Sequence, residues 1–178
     1  MSADGVRPTD SVNYSITQKW LHNISVLMIS WLMGSGYLVT LIDRLDPFKE
    51  SIVALNASLA FLFTPLFFIG VYVSFGKSCR GAFKPRSLMS RLAFAVHTMI
   101  YLATVTVLIS GFLMMRRDII FFDCFSIPHW SNDVQMLERF ASVHSWACVA
   151  LALLLVLHMA AVIKHQLAGK SVIKRMLF

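Results

Sequence analysis

The sequence predicts an all-α fold, an integral membrane four-helix bundle. Hydrophobic residues make up 57% of the 178 residues and the mean hydropathy is +0.69, whereas soluble domains are about 45–50% apolar. Four apolar runs each contain the roughly 20 residues of helix that cross a hydrocarbon core. We predict spans at 20–42, 51–75, 88–115 and 138–164. Because the connections are short, we expect residues 1–178 to form a single transmembrane domain, with any chemistry inside the bundle or at its edges.

The distribution of charge predicts the orientation of this bundle. The net charge is +7, and two segments, the second connection and the stretch after the last span, are basic without acidic residues. Such segments lie on the cytoplasmic side of membranes, so we expect both the N- and the C-terminus to be cytoplasmic. The positive charge then reflects topology and attraction to anionic lipid, with no nucleic-acid partner. The basic residues concerned are Lys77, Arg80, Lys84, Arg86, Arg91, Lys164, Lys170, Lys174 and Arg175.

The first predicted span begins beside Lys19 and Trp20, an interfacial pair that sets the level of membrane entry. His22 therefore lies about one helical turn inside the cytoplasmic face. Gly36 follows fourteen residues later. Fourteen residues of helix return to within about 40° of the same face, about 21 Å further along the axis. We expect His22 and Gly36 to share one face at two depths.

The second and third predicted spans differ in their histidine content. The second has no histidine, and Asn56 is the strongly polar residue near its outer end. The third carries His97 about two turns inside the cytoplasmic face, and Gly111 follows after the same interval of fourteen. A glycine at the depth of an opposing histidine leaves room either for ordinary close helix packing or for a planar ligand.

The fourth predicted span carries two histidines, His144 and His158, again fourteen residues apart. One helix face therefore presents imidazoles at two depths. The connection before this span mixes aromatic and acidic residues around Pro128 and His129. We expect it to form a short interfacial helix that caps the outer end, with His129 in a solvated loop.

The depths of these residues favour a haem over other cofactors. His22, His97 and His158 fall on the cytoplasmic side, and two imidazoles facing each other across a bundle suit six-coordinate haem iron. A zinc ion needs three or four close ligands, usually at short local spacings, and the spans contain no such spacing. A proton relay needs carboxylates within the spans, and of the nine acidic residues only Glu138, the first residue of the fourth span, falls within the predicted bounds. The alternative is that these histidines only form hydrogen bonds within the bundle.

The chain resembles the bacterial cytochrome b561 family and, more distantly, the cytochrome b subunits of formate dehydrogenases and nickel-iron hydrogenases. The motifs that carry the resemblance are YSITQKWLHN in the first span, SRLAFAVHTMIYLATVTVLISGFLM in the third and VHSWACVALALLLVLHMAAVIKHQ in the fourth. The resemblance implies two haems b stacked across the membrane. It implies that His22 and His158 are the axial ligands of the cytoplasmic-side iron and that His144 is one ligand of the outer iron. Gly36 and Gly111 would pack against haem.

The second span departs from this family. Asn56 stands in LNASLA where the family has histidine in a motif like LHKSIG. We therefore expect one haem b, and three outcomes stay open for the outer site: no haem, a five-coordinate haem on His144, or a second ligand such as His129. His97 also has a counterpart in the family, and we expect it to form a hydrogen bond with a haem propionate, to line a quinone pocket or to pack within the bundle.

The function that the resemblance implies is electron transfer between haem and the quinone pool in a bacterial inner membrane. The lipid bilayer is then one partner, and quinone, with ubiquinone as the candidate, is another. The chain would act as the membrane subunit of a larger oxidoreductase or as a superoxide:quinone oxidoreductase. A haem-depleted family member that serves as a membrane anchor or assembly subunit is the alternative.

Overall fold

The computed structural model describes residues 15–43, 46–80, 88–122 and 124–169, without the side chains of residues 75, 77–80, 89 and 90. All four helices of the described chain are long and apolar enough to cross a membrane, which confirms the predicted fold class. A two-stranded hairpin joins the third helix to the fourth. The elements in chain order are α1 (Ile16–Leu41), α2 (Pro47–Arg80), α3 (Leu88–Leu113), β1 (Ile119–Phe121), β2 (Phe125–Ile127) and α4 (Val134–Leu167).

Polar caps start α1 and α4 about one turn before the predicted apolar spans. The Ser15 hydroxyl accepts a hydrogen bond from the Gln18 amide at 3.4 Å, and the Gln18 side chain accepts one from the Ser15 amide at 3.2 Å. Asp133 caps α4 by accepting from the amides of Gln135 and Met136. Capping side chains satisfy the first amides of a helix, so a cap can lie outside the apolar run that crosses the membrane.

The helices are arranged as two pairs. α1 packs along α2, α3 packs along α4 in the most extensive helix contact, and α2 meets α3 over a shorter stretch. Within the described ranges, α1 makes no extensive contact with α3 or α4, and no residue of α1 is fully buried. The apolar core therefore lies between α2, α3 and α4. Its buried side chains include Phe63, Phe67, Ile100, Leu137 and Leu151.

The connection between α3 and α4 forms a β-hairpin, and the predicted interfacial helix is wrong. The end of the bundle that carries this hairpin is called the outer end, after the predicted orientation. β1 and β2 are antiparallel, with Ile119 opposite Ile127 and Phe121 opposite Phe125. The two strands are built mainly from isoleucine and phenylalanine, which favour a pleated and half-buried surface. Phe122 takes a positive φ of 44° where the chain turns. The mixture of aromatic and polar residues that predicted an amphipathic helix instead suits a paired strand with one side against the bundle.

Ser58 fixes this hairpin against α2. Its side chain is buried, donates to the Ile120 carbonyl oxygen at 3.3 Å and accepts from the Phe122 amide at 3.4 Å. One turn along, the Phe61 ring meets the Phe121 ring edge to face at 5.3 Å between centroids. A single hydroxyl thus satisfies two backbone groups of β1 and its turn, which holds the hairpin over the outer half of α2.

The cytoplasmic placement of the termini stays a prediction. Residues 81–87 and 170–178, which carry much of the basic charge behind that prediction, lie outside the described residues, as do residues 1–14.

Replacing Ser58 by Ala should loosen the hairpin. The change removes the hydroxyl that pairs with the Ile120 carbonyl and the Phe122 amide, and a hydrogen bond of this kind contributes about 0.5–1.5 kcal/mol. We expect a lower thermal midpoint and faster hydrogen exchange at the Phe122 amide. Ser51→Ala is the matched control, because Ser51 is exposed and its hydroxyl contacts only the Pro47 carbonyl of its own helix. Equal effects of the two substitutions would contradict the role of Ser58.

Candidate functional site

Three histidines from three helices come together in the half of the bundle away from the hairpin. His22 lies on α1, His97 on α3 and His158 on α4, and each is half-buried. The His97 and His158 rings meet edge to face, with centroids 4.9 Å apart and planes at 82°. His22 interacts electrostatically with both of the others. The structure therefore brings together the residues that sequence reasoning placed on one side of the membrane.

The ring nitrogens of these three histidines differ in their partners. His97 Nδ1 donates to the Ala93 carbonyl oxygen at 2.7 Å; a carbonyl can only accept, so the lone pair of His97 is on Nε2. In the described part of the chain, no hydrogen bond reaches a ring nitrogen of His22 or His158. Half-buried polar groups in a membrane protein usually have a partner. Two imidazoles without one are therefore suited to a ligand.

The helices that carry His22 and His158 do not pack extensively on each other. A flat group held between two imidazoles requires such a separation, so the residues present fit a bis-imidazole haem. An ion held by the three histidines alone would need all three ring nitrogens within about 2.1 Å of one point. Among the described residues, no group of three or more His, Cys, Asp or Glu side chains could hold a metal ion.

His144, in the outer half, is engaged within the α3–α4 pair. Its Nδ1 donates to the Val107 carbonyl oxygen at 3.0 Å and lies 3.3 Å from the Ser110 hydroxyl. Its Nε2 accepts a contact of 3.5 Å from the Cys148 thiol, one turn along the same helix. Both ring nitrogens therefore have partners on α3 or α4, and neither is directed to α2.

The two glycines predicted to pack against haem lie in different surroundings. A Cβ atom placed on Gly111 would come within 3.0 Å of His144 Cε1 and 3.2 Å of His144 Nδ1. The space above Gly111 is thus filled by the His144 imidazole, and a role of Gly111 in packing against haem stays a prediction. A Cβ atom on Gly36 would meet nothing within 4 Å. Gly36 is exposed and leaves open space on α1.

Asn56 is directed at α1 and not at His144. Its Oδ1 accepts a 2.8 Å hydrogen bond from the Ser35 hydroxyl, and both side chains are partly buried. The polar residue that replaces the expected histidine is thereby used for helix packing. An amide bonded in this way lies between α1 and α2, on the side of α2 opposite to the one that Ser58 presents to the hairpin.

His129 lies in the connection before α4, where polar partners engage its ring, and its use as a second outer ligand stays a prediction. Its Nδ1 lies 2.7 Å from Asp118 Oδ1 and its Nε2 lies 2.7 Å from Asn132 Oδ1. Asp118 accepts from Nδ1, and the Asn132 amide is the partner of Nε2, so both ring nitrogens are engaged on this side of the bundle. The hydrogen bond that His129 donates to Asp118 raises the pKa of His129 and lowers the pKa of Asp118.

The outer residues therefore do not fit a bis-imidazole haem, whereas the His22–His158 pair does. Sequence reasoning missed the partners that decide this difference. Cys148 stands four residues after His144, and that helical spacing was a signal that could have found it. That Ser35 is the partner of Asn56 depends on how α1 and α2 are aligned, and no pattern within one segment indicates that alignment.

The comparison with protein families matches almost the whole chain. The model of the family described as prokaryotic cytochrome b561 matches residues 13–178. No curated protein matches the chain. The family match confirms the resemblance read from the three span motifs, and it agrees with four helices able to cross a membrane.

Gly111→Ala should disturb His144. The added methyl group would lie 3.0 Å from a ring that two contacts on α3 hold in place, so the ring must move or the helices must separate. We expect a lower thermal midpoint than for Gly34→Ala, because a Cβ atom on Gly34 would meet nothing within 4 Å. Both substitutions raise intrinsic helix propensity equally, so their difference measures the contact. A midpoint for Gly111→Ala at or above that of the control would contradict this packing.

The His129–Asp118 pair should make the protection of the outer hairpin depend on pH. The raised pKa of His129 contributes stability that is present below its unfolded value of about 6.5 and is lost as pH rises through the folded value. The lowered pKa of Asp118 contributes stability above about 3.9, lost as pH falls through its folded value. The protection factors of the amides of residues 119–127 should therefore be highest between about pH 4 and 6.5.

In the Asp118→Asn variant, the His129 resonances should titrate at a lower pH than in the unsubstituted chain. An unchanged titration midpoint would contradict the assigned cause of the raised pKa.

Proposed function

The chain belongs to the prokaryotic cytochrome b561 family and is a membrane b-type cytochrome of electron transfer, and we propose that it holds one haem b and exchanges electrons with the quinone pool. The axial ligands are His22 on α1 and His158 on α4. Residues 1–178 act as one transmembrane domain in a bacterial inner membrane, with both termini in the cytoplasm.

One observation carries this proposal. His22 and His158 are half-buried imidazoles that lack hydrogen-bond partners in the described ranges, on two helices that do not pack extensively together. In an apolar bundle, an imidazole without a partner is unfavourable unless a ligand uses its lone pair. As ligands, both imidazoles would be neutral and would donate a nitrogen lone pair.

A haem b bound there supplies reversible one-electron redox chemistry, which no side chain of the described residues provides. The protein contributes the two ligands, their spacing and the orientation of their rings. Because α1 lacks fully buried residues, it can adjust its distance from α4 at small loss of packing. We therefore assign α1 the part of the site that accommodates the cofactor, and α3 with α4 the part that is fixed.

The outer half supports a count of one haem. Asn56 bonds Ser35 on α1, and His144 bonds Val107 and contacts Cys148. These side chains satisfy one another across the helix interfaces. Oxidation of superoxide at the outer face would then have to act on a cofactor most of a membrane thickness away. A single inner site favours the membrane subunit of a larger oxidoreductase, with ubiquinone or a partner subunit as the redox partner.

The alternative is a membrane anchor or assembly subunit without haem. The use of Asn56 and His144 for helix packing favours it, since the same could hold for the inner histidines. The edge-to-face contact of His97 with His158 is one such packing interaction. The two functions differ in whether the purified chain carries haem.

Absorption spectroscopy of the purified chain tests the cofactor and its count. We expect a Soret band and a haem-to-protein ratio near one by the pyridine haemochrome method. Absence of haem would leave the anchor function, and a ratio near two would contradict the assignment of the outer residues.

Substitution of the histidines tests the ligands. His158→Ala and His22→Ala should each abolish the low-spin spectrum, because each removes one of two axial nitrogens. His144→Ala should keep the spectrum and the haem ratio, although the chain loses the Val107 contact. His165→Ala, in the last turn of α4, is the control for removal of a histidine. A low-spin spectrum that survives in His158→Ala would show that the ligand assignment is wrong.

A further inference from the structure

We propose that His97 is a positioning residue that sets the ring orientation of His158. This inference rests on the proposed function, in which His158 is an axial ligand. His97 itself would bind no iron. Its imidazole would instead fix the plane in which the His158 ring meets the cofactor, and with it the strength and the electronic character of that ligation.

Among the described residues, no hydrogen bond holds the His158 ring in one orientation. Histidines that bind metals nearly always donate their second ring nitrogen to a carbonyl, a carboxylate or a water, which fixes the tautomer and the ring plane. Over the residues that the structure describes, His158 has no equivalent partner. Its orientation must come from contact with neighbouring side chains.

His97 is fixed by its own helix. Its Nδ1 donates to the Ala93 carbonyl oxygen, one turn back on α3, at 2.7 Å. α3 in turn packs along α4 in the most extensive contact between helices of the fold. The His97 ring therefore has a defined place relative to the backbone that carries His158. A residue in such a position can orient a neighbour that lacks other restraints.

The ring contact has a defined geometry. The His97 and His158 centroids are 4.9 Å apart with an interplanar angle of 82°, which is the edge-to-face arrangement that ring quadrupoles favour. Rotation of the His158 ring about its axis would lose this contact. The two rings are in direct contact, which leaves no room for a metal ion between them. His97 therefore lies beside His158 and not across the iron from it.

His97 also interacts electrostatically with His22. It therefore lies near both proposed ligands, on α3, which contributes no ligand of its own. Sequence reasoning left three roles for this residue: a bond to a propionate, a place in a quinone pocket, or packing. The first two depend on a ring nitrogen. The role proposed here depends on the ring itself, and a phenylalanine can therefore replace it in part.

The experiment compares His97→Ala, His97→Phe and His165→Ala in the full-length purified chain with its haem. The largest g value in the electron paramagnetic resonance spectrum of the oxidised protein reports the relative planes of the two axial imidazoles. The rate of haem transfer to apomyoglobin reports ligand strength. We expect His97→Ala to shift that g value and to speed haem transfer about 10–100-fold, the usual effect of removing a residue that orients a metal ligand.

We expect His97→Phe to keep the unsubstituted g value and to speed haem transfer less than His97→Ala does, because a ring remains against His158. If His97→Ala matches His165→Ala in both measurements, His97 does not position the ligand. If His97→Phe and His97→Ala shift the g value equally, a ring nitrogen is what matters, and the inference is overturned. A high-spin, five-coordinate spectrum in His97→Ala would make His97 itself a ligand. If the unsubstituted chain contains no haem, the proposed function has failed instead.

Discussion

In a lipid bilayer, a polar side chain needs a partner within the protein or a bound ligand, because the hydrocarbon offers neither donors nor acceptors. This constraint separates the two halves of the bundle. In the outer half, Asn56 is bonded to Ser35 and His144 to Val107. In the other half, His22 and His158 lack such partners among the described residues. The two halves therefore differ in whether these polar side chains have hydrogen-bond partners, and this difference distinguishes a packing region from a candidate cofactor site.

The pairing of helices follows the same separation. α1 with α2 and α3 with α4 form close pairs, and the polar contacts of the outer half lie within these pairs. Ser58 adds a tie between α2 and the hairpin that connects the second pair. The outer end is thereby held together by hydrogen bonds that cross from one element to the next. At the opposite end, three imidazoles meet between the pairs, and the one on α3 is fixed by its own helix.

Much of the fold and part of the site could be predicted from the sequence. The number of spans followed from run length, because about 20 apolar residues are needed to cross the hydrocarbon. The grouping of His22, His97 and His158 followed from depth along antiparallel helices. The hairpin could not be predicted, because aromatic and polar residues alternate over too few positions to separate a strand from a short helix. The engagement of both ring nitrogens of His129 also depended on that hairpin, which brings Asp118 close to it.

The sequence by itself determined the membrane class, the number of helices and the depth of each histidine, because hydropathy and helical rise are properties of a single segment. It also indicated the family, since each of the three span motifs is a continuous stretch of sequence. Only the tertiary structure decided which neighbouring helix the side chains of Asn56 and His144 contact. Those contacts depend on the rotation of one helix against another, and no periodicity within one segment records it. The ring contact between His97 and His158 is of the same kind, since it joins residues 61 positions apart.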